Sequence, residues 1–424
     1  MKTHQKKRKI SRRSFLKSGA ALTSVGVFET GVILERLAAA PLVEPERRAN
    51  QPHVAVVGAG AFGGWTALYL LRLGARVTLL DAWGAGNSRS SSGGETRVIR
   101  AIYGPDEIYV KLVARAVQLW RENEKRWNRT LYRRTGALWM FQHDDSFVTA
   151  SRPFLTKEGF KLEDLSGQEA HKRFAQVNFD GVKRVLYEKE AGYLTARHAC
   201  NVVRQGFLEE GGEYRQLAVR PGAMTGGELQ NIQLSDGSTF SADHYVFACG
   251  AWLAKVFPKL LGHIIKPTRQ TVLYFGTPAG DRRFVEDDLP VWVDLGQRIF
   301  YGIPGDGRRG FKIADDTRGE PIDPTLDDRK PSHEGFETAR SYIEFRFPDL
   351  KGAPLLEARA CVYENAPDHH FILDHHPEAH NLWLIGGGSG HGFKHGPAVG
   401  EMVAEMVLGQ KSPEPFFSLS RFAP

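Results

Sequence analysis

The sequence has only three cysteines among its 424 residues, Cys200, Cys249 and Cys361. They are too few and too scattered for a disulfide framework or a cysteine-based zinc site, and at least one is left unpaired. Cys200 lies in a helical pattern and Cys249 in an apolar run, which is typical of small core residues. No metal site is predicted.

After residue 40, the sequence lacks both a long apolar run and an excess of charge. No stretch there reaches the ~20 consecutive apolar residues of a membrane-spanning helix. The formal net charge of +7 arises within residues 1–40, where nine Lys or Arg accompany two Glu. The balanced remainder argues against nucleic-acid binding. A hydrophobic fraction of 42% predicts a large globular core.

The first 40 residues have the layout of an export signal. A basic segment at 1–13 precedes the apolar run 16–28 and three alanines at 38–40. Residues 11–17, Ser-Arg-Arg-Ser-Phe-Leu-Lys, resemble the twin-arginine signal, which a transporter of folded proteins reads. We therefore predict a signal peptide at 1–40, a linker at 41–52, and twin-arginine export to the periplasm or the exterior. The cleavage point stays open.

The first part of the body predicts a βαβ unit. Residues 53–57 and 76–80 are β-branched and apolar, and the helical pattern 64–73 lies between them. Further along, the patterns predict helices at 109–127, at 196–210 with Thr195 as its cap, and at 397–408, and a capping box at Ser166 and Glu169. They predict strands at 228–234 and 239–248 joined by a turn at 236–237, and a strand at 381–385. An antiparallel sheet is predicted within 270–314.

The glycines between the first strand and helix have the spacing of a dinucleotide-binding loop. Gly58, Gly60 and Gly63 would allow the tight turn, the approach of a pyrophosphate, and close packing of the helix on the strand. Asp81, 21 residues after Gly60, is placed to bind a ribose hydroxyl. The loop alone leaves FAD and NAD open. The apolar run ending at Cys249 favours a flavoprotein, in which a later strand returns beside the first.

Several motifs follow in a fixed order along the chain. They are Gly94–Arg100, Tyr301–Pro304, Phe311–Lys312, Cys361–Asp374 and Ser389–Lys394. With the glycine loop, they closely resemble the monomeric sarcosine oxidase and N-methyl amino acid oxidase group of the D-amino-acid-oxidase-like family of FAD amine oxidases. The resemblance covers residues 53–415.

The resemblance implies an α/β (α+β) protein of two domains. A Rossmann-type FAD-binding domain of the glutathione-reductase-like class would comprise 53–133, 193–265 and 368–424. A catalytic domain built on an antiparallel sheet would comprise 134–192 and 266–367. The implied reaction oxidises the C–N bond of a carboxylate-bearing amine to an imine, and oxygen accepts the electrons to give hydrogen peroxide. A monomer is expected.

The resemblance also implies roles for individual residues. Cys361 would bind the flavin covalently, and Arg100 with Lys394 would hold the substrate carboxylate. A guanidinium and an ammonium suit that task, since one gives paired hydrogen bonds and the other a point charge. Lys312 would promote reaction with oxygen, and Tyr301 would face the substrate.

The remaining implied contacts concern the flavin. Arg97 would support the flavin edge or a neighbouring carboxylate, while Gly390 and Gly392 would form part of the loop around the flavin, beside Lys394.

Two positions depart from the family pattern. Asp316 and Gly93 stand where sarcosine oxidase has histidines near the flavin. A carboxylate at Asp316 could hold a cation or accept a proton, so a larger, more basic or glycated amine competes with sarcosine as substrate. Two other functions stay open: an exported dehydrogenase passing electrons to a quinone or carrier, which Lys312 argues against, and a catalytically idle flavin-binding protein.

Overall fold

Two large β-sheets organise the computed structural model, which describes residues 51–306, 309–317 and 319–423. The predicted signal at 1–40 and residues 41–50 of the predicted linker lie outside these ranges. The strands are β1 His53–Val57, β2 Arg76–Leu80, β3 Arg97–Ile99, β4 Tyr132–Arg133, β5 Ala137–Phe141, β6 Leu162–Leu165, β7 Arg184–Glu188, β8 Gly192–Leu194, β9 Glu213–Arg215, β10 Val219–Pro221, β11 Met224–Thr225, β12 Glu228–Leu229, β13 Ile232–Leu234, β14 Thr239–Phe240, β15 His244–Phe247, β16 Lys266–Phe275, β17 Val291–Leu295, β18 Ile299–Ile303, β19 Phe311–Asp315, β20 Leu355–Asn365, β21 Ile372–His376 and β22 Ala379–Gly386.

Helices connect and cover these strands. The α-helices are α1 Ala61–Arg72, α2 Glu107–Trp127, α3 Ser146–Lys157, α4 Gly167–Arg173, α5 Ala196–Glu209, α6 Leu253–Val256, α7 Pro258–Leu261, α8 His333–Arg346 and α9 Gly396–Val407. Short 3-10 helices lie at Gly250–Trp252, Arg282–Phe284, Pro348–Leu350, Phe393–His395, Pro415–Phe417 and Leu419–Phe422. In the part of the chain that the structure describes, no helix is both long and apolar enough to cross a membrane.

The first sheet has six strands in the order β21-β22-β15-β1-β2-β9. All neighbours are parallel except β21 and β22. Every residue of β1 is buried, as expected for the centre of a parallel sheet covered on both faces. The predicted βαβ unit and the return of the later strand beside the first are confirmed. Helix α1 begins at Ala61, earlier than predicted, because the glycine-rich segment itself forms its first turn.

Three local predictions need correction. The strand predicted at 228–234 is two strands, because β12 pairs with β11 whereas β13 pairs with β10 in a separate sheet. The turn at 236–237 is confirmed, since β13 pairs with β14 and Gly237 has a φ of +88°, but the strand predicted at 239–248 is two strands. Its second half, β15, pairs with β1 in the six-stranded sheet instead. Thr195 precedes α5 without a capping bond, because its hydroxyl donates to the carbonyl oxygen of Leu131 at 3.3 Å. The capping box of Ser166 and Glu169 is confirmed.

The second sheet has eight strands in the order β20-β16-β19-β18-β17-β5-β7-β6. Its neighbours are antiparallel except β17 and β5, so the antiparallel sheet predicted within 270–314 is confirmed. The strands of this sheet fall in the ranges assigned to the catalytic domain. The domain boundaries themselves stay a prediction.

A buried ion pair holds α8 on this sheet. Arg346 and Asp294 are both fully buried, with nitrogen and oxygen 2.7 Å apart. Asp294 also accepts hydrogen bonds from Tyr342 at 2.5 Å and Gln142 at 2.8 Å. These partners offset the cost of burying the two charges.

Candidate active site

The glycine-rich turn lies at the carboxyl end of β1, against the chain that follows β15. Gly58 has a φ of +108°, and a Cβ atom there would lie 2.3 Å from the carbonyl oxygen of Ala248. A Cβ atom at Gly63 would lie 1.9 Å from the carbonyl oxygen of Gly58. Only glycine fits at either position. Strand, turn and helix can therefore pack closely here.

Gly60 and Asp81 line a cavity of about 450 Å³. Gly60 directly precedes α1 and has no side chain to cap the helix. The N-terminus of a helix favours an anionic group. Asp81 is held at the cavity wall by backbone amides, accepting from Ala59 at 2.7 Å, Trp83 at 2.8 Å and Gly84 at 2.7 Å. Its role toward a ribose stays a prediction.

The opposite wall of this cavity comes from remote segments, including residues 248–252, 362–364 and 385–393. Gly390 and Gly392 belong to it. A Cβ atom at Gly390 would lie 2.5 Å from the Tyr363 ring, and one at Gly392 would lie 2.9 Å from the Phe62 ring. Side chains at these glycines would overlap the two rings, which also line the cavity.

Cys361 lies on β20 beside Arg97. The Cys361 sulfur accepts a hydrogen bond from the Arg97 guanidinium at 3.2 Å. Arg97 also donates to the carbonyl oxygens of Ser91 at 2.6 Å and Thr96 at 2.8 Å. Cys361 lines a second cavity of about 510 Å³, and Arg97 lines both cavities. The thiol and its guanidinium partner thus stand where the two cavities meet.

Lys312 is buried on β19, with its side chain between β16 and the segment leading to β3. Its ammonium donates to the carbonyl oxygen of Thr96 at 2.9 Å and lies 5.7 Å from the centroid of the Tyr301 ring. Burial, followed by the charge of Arg97, lowers the pKa of Lys312 to about 7. This amine can therefore gain or lose a proton close to neutral pH.

Arg100 and Lys394 meet at Tyr103. The Arg100 guanidinium stacks 4.5 Å from the centroid of the Tyr103 ring. The buried Lys394 ammonium donates to the Tyr103 hydroxyl at 2.8 Å and to the carbonyl oxygen of His391 at 2.8 Å. Burial and the charge of Arg100 hold the pKa of Lys394 well below its usual value. An anion placed beside both groups would gain from two desolvated cations.

Tyr301, Tyr363 and Asp316 form a second polar group. The Tyr363 hydroxyl donates to Asp316 at 2.9 Å and lies 3.5 Å from the Tyr301 hydroxyl. Asp316 is exposed at the end of β19. Its negative charge partly offsets the lowering of the Lys394 pKa by burial and by Arg100. The predicted residues Tyr301 and Asp316 are thus linked through Tyr363, which the sequence reasoning did not assign to the site.

Gly93, the other departure from the family pattern, has no room for a side chain. A Cβ atom there would lie 1.9 Å from the carbonyl oxygen of Asn87. The Gly93 carbonyl oxygen accepts from Arg197 at 2.7 Å. The loop conformation itself therefore excludes a histidine at this position.

Two buried carboxyl groups near the site were also missed. Glu188 accepts from the Ala101 amide at 2.6 Å and the Trp139 indole at 3.0 Å, and burial raises its pKa to about 7. Glu364 lines the first cavity, and burial raises its pKa to about 7 as well. Its Oε2 atom has no hydrogen-bond partner among the described residues.

Comparison with known protein families identifies the family to which the chain belongs. The FAD dependent oxidoreductase family, DAO, matches residues 53–406. The protein belongs to this family and is an FAD-dependent amine oxidase.

Among individual proteins, the monomeric sarcosine oxidase of Arthrobacter sp. (strain TE1826) is 30% identical over 378 residues, covering 87% of this chain and 96% of that protein. The N-methyl-L-tryptophan oxidase of Salmonella arizonae is 28% identical over 379 residues, covering 87% and 98%. The fold is also that of the fructosamine oxidase Amadoriase II from Aspergillus fumigatus, with a TM-score of 0.75 and 21% identity over 88% of this chain and 90% of that chain.

The residues of the first cavity fit FAD. Gly58, Gly60, Gly390 and Gly392 line the cavity and present backbone without a side chain to it. The helix N-terminus at Gly60 suits a pyrophosphate, and Glu364 presents a carboxyl group with an unsatisfied oxygen at the wall.

Proposed function

We propose that this protein oxidises the C–N bond of a carboxylate-bearing secondary amine, an N-methyl amino acid such as sarcosine, to an imine that water then hydrolyses. The observation that carries the proposal is the meeting of Arg100 and Lys394 at Tyr103. Bound FAD supplies the chemistry by taking two electrons and a proton from the carbon next to nitrogen. The protein supplies orientation and charge.

The two cations would fix the carboxylate end of the substrate. Arg100 is held by its stacking on Tyr103 and on Trp139, at 5.5 Å from the Trp139 ring centroid. Lys394 is held by two acceptors. Cations kept in place before the substrate binds lose little side-chain entropy on binding. A carboxylate anchored there would leave the amine free to face the reacting ring.

Oxygen is the proposed electron acceptor, and hydrogen peroxide the product. Lys312 supports this choice, because it places a buried, ionisable amine close to Arg97, which lines the FAD cavity. Lys312→Met should slow aerobic peroxide formation while leaving the anaerobic bleaching of the flavin by substrate near the wild-type rate. An exported dehydrogenase would instead show slow reoxidation of its reduced flavin by oxygen already in the wild type.

Asp316 bears on the choice of amine. Its carboxylate, held by Tyr363, would favour an amine that is more basic or larger than sarcosine, including a glycated amino acid. A panel of N-methyl, cyclic and glycated amino acids, assayed for peroxide, ranks these substrates. If no amine bleaches the flavin in the absence of oxygen, the proposed activity is wrong and a catalytically idle flavin protein takes its place.

Covalent attachment of FAD through the Cys361 sulfur is part of the proposal. The support is the position of Cys361, which lines the second cavity and whose sulfur accepts a hydrogen bond from Arg97, a residue that lines both cavities. Acid precipitation tests the attachment, since covalent flavin keeps the pellet yellow. Cys361→Ser should release the colour to the supernatant, whereas Cys200→Ser should retain it.

Export by the twin-arginine machinery, and a monomeric state, complete the proposal. The support for export is the segment 11–17 with its paired arginines Arg12 and Arg13. Replacing both arginines by lysine should leave the protein and its flavin inside the cell. Sedimentation of the purified protein tests the monomer.

A further inference from the structure

Tyr103 lies between the two cations to which we assign the substrate carboxylate. Its ring is 5% exposed and stacks on Arg100, and its hydroxyl contacts Lys394. Two histidines complete the surroundings of the hydroxyl. His395 Nε2 lies 2.7 Å from it and His391 Nδ1 lies 3.2 Å from it.

The direction of each hydrogen bond follows from the chemistry of the groups. In its charged form, in which it would bind a carboxylate, Lys394 can only donate, so the Tyr103 oxygen accepts from it. The single Tyr103 proton must then be given to a histidine nitrogen that carries none. The Nε2 atom of His391 lies 2.9 Å from the carbonyl oxygen of His369, and Nε2 therefore carries the ring hydrogen. The Nδ1 atom of His391 is then an acceptor for the Tyr103 hydroxyl, but at the longer distance of 3.2 Å. His395 Nε2 is the closer acceptor.

The electrostatics agree with this direction. Burial, followed by the charges of Lys394, His391 and Arg100, holds the pKa of His395 well below its usual value. A neutral His395 has a lone pair to offer the Tyr103 hydroxyl. The chain of donors therefore runs from Lys394 to Tyr103 to His395. It leaves the Tyr103 oxygen as a fixed acceptor on the side of Lys394.

We propose that Tyr103, oriented by His395, is the positioning residue for both substrate-binding cations. Its ring fixes the Arg100 guanidinium by stacking. Its hydroxyl and the His391 carbonyl oxygen take two hydrogens of Lys394. Within the described part of the chain, the third hydrogen is left for a ligand. This inference rests on the proposed binding of a carboxylate by Arg100 and Lys394.

Variants at Tyr103 separate the two contributions. Tyr103→Phe keeps the stacking ring but removes the acceptor, and the affinity for a carboxylate should fall roughly tenfold to a hundredfold, as for a lost hydrogen bond to a charged group. Tyr103→Leu removes the ring as well and should weaken binding further. The probe is methoxyacetate, which cannot be oxidised as an amine, and its binding to the holoenzyme is followed by the change in flavin absorbance.

Variants at His395 test the orienting role. His395→Gln keeps an acceptor and should bind methoxyacetate nearly as the wild type does. His395→Phe removes the acceptor and should weaken binding in the same direction as Tyr103→Phe. In turnover, Tyr103→Phe should raise KM for an N-methyl amino acid with little change in kcat, because it touches no reacting atom.

A purely structural role would give different results. The inference would be overturned if Tyr103→Phe bound the uncharged analogue methoxyacetamide as much more weakly than the wild type as it binds methoxyacetate. It would also be overturned if Tyr103→Phe bound methoxyacetate with wild-type affinity while Lys394→Met showed a clear loss. Failure of the proposed function is distinguishable, since the wild type itself would then bind no carboxylate and oxidise no amine, and the inference would fall with it. Thermal unfolding of each variant reports its folding, and Tyr103→Phe decides the question if Tyr103→Leu does not fold.

Discussion

Replacing Glu364 by glutamine should make the protein more stable, and increasingly so as the pH rises. Burial raises the pKa of Glu364 from 4.5 to about 7, so the folded protein binds this proton more tightly than the unfolded chain does. The contribution of Glu364 to stability is therefore largest at low pH and falls as the pH rises through 7. Glutamine does not titrate, so its advantage over the wild type should grow by roughly 2–3 kcal/mol between pH 5 and pH 8.

The geometry makes glutamine a close substitute. The backbone N–H of Gly388 is hydrogen-bonded to the carboxyl group, and an amide oxygen can accept that bond. The amide nitrogen would take the position of the unpartnered Oε2 atom. Urea unfolding followed by tryptophan fluorescence at pH 5, 6, 7 and 8 measures the difference. Glu122→Gln, on the exposed face of α2, is the matched control. A Glu364→Gln advantage that stays constant across this range would refute the reasoning.

Three further changes probe other parts of the structure. Gly58→Ala should destabilise the protein by roughly 1–3 kcal/mol and lower its FAD content, because its Cβ would overlap the Ala248 carbonyl; flavin absorbance per chain measures the loss, and full occupancy would contradict it. Asp294→Ala should cost about 3–5 kcal/mol in urea unfolding, since it leaves Arg346 charged and buried; a cost below 1 kcal/mol would argue against that burial. The wild type should gain stability relative to Lys312→Met as the pH rises from 7 to 10, because the pKa of Lys312 is lowered to about 7 in the folded protein and the unfolded chain holds this proton to higher pH. A difference in the free energy of unfolding that does not change with pH would contradict this.

Local patterns sufficed for the elements around the glycine loop. The strand at 53–57 and the helix that follows it are set by β-branched residues, glycine spacing and apolar periodicity, all within about 30 residues. The break at 241–243 was not predictable in this way. There the backbone leaves one sheet and enters another, and Asp243 accepts a hydrogen bond from the amide of His53, 190 residues earlier. Contacts between remote segments decide such breaks.

The same distinction applies to the site. Cys361, Lys312 and Lys394 could be named because they lie in recognisable motifs. Tyr103 and Glu188 could not, because each is an isolated polar residue whose burial depends on contacts made by distant elements. Glu364 lies within the Cys361–Asp374 motif, but nothing in its neighbours indicates that its carboxyl would be enclosed.

The first cavity, to which we assign FAD, takes its walls from Thr325 and from three stretches of chain, at 57–97, 217–256 and 362–393. A chain emerging from the ribosome lacks the last of these until it is more than nine-tenths synthesised. Cofactor capture must therefore be a late event in biogenesis, after translation is nearly finished. In the export that we propose, a chain that crossed the membrane unfolded would leave before this cavity had formed.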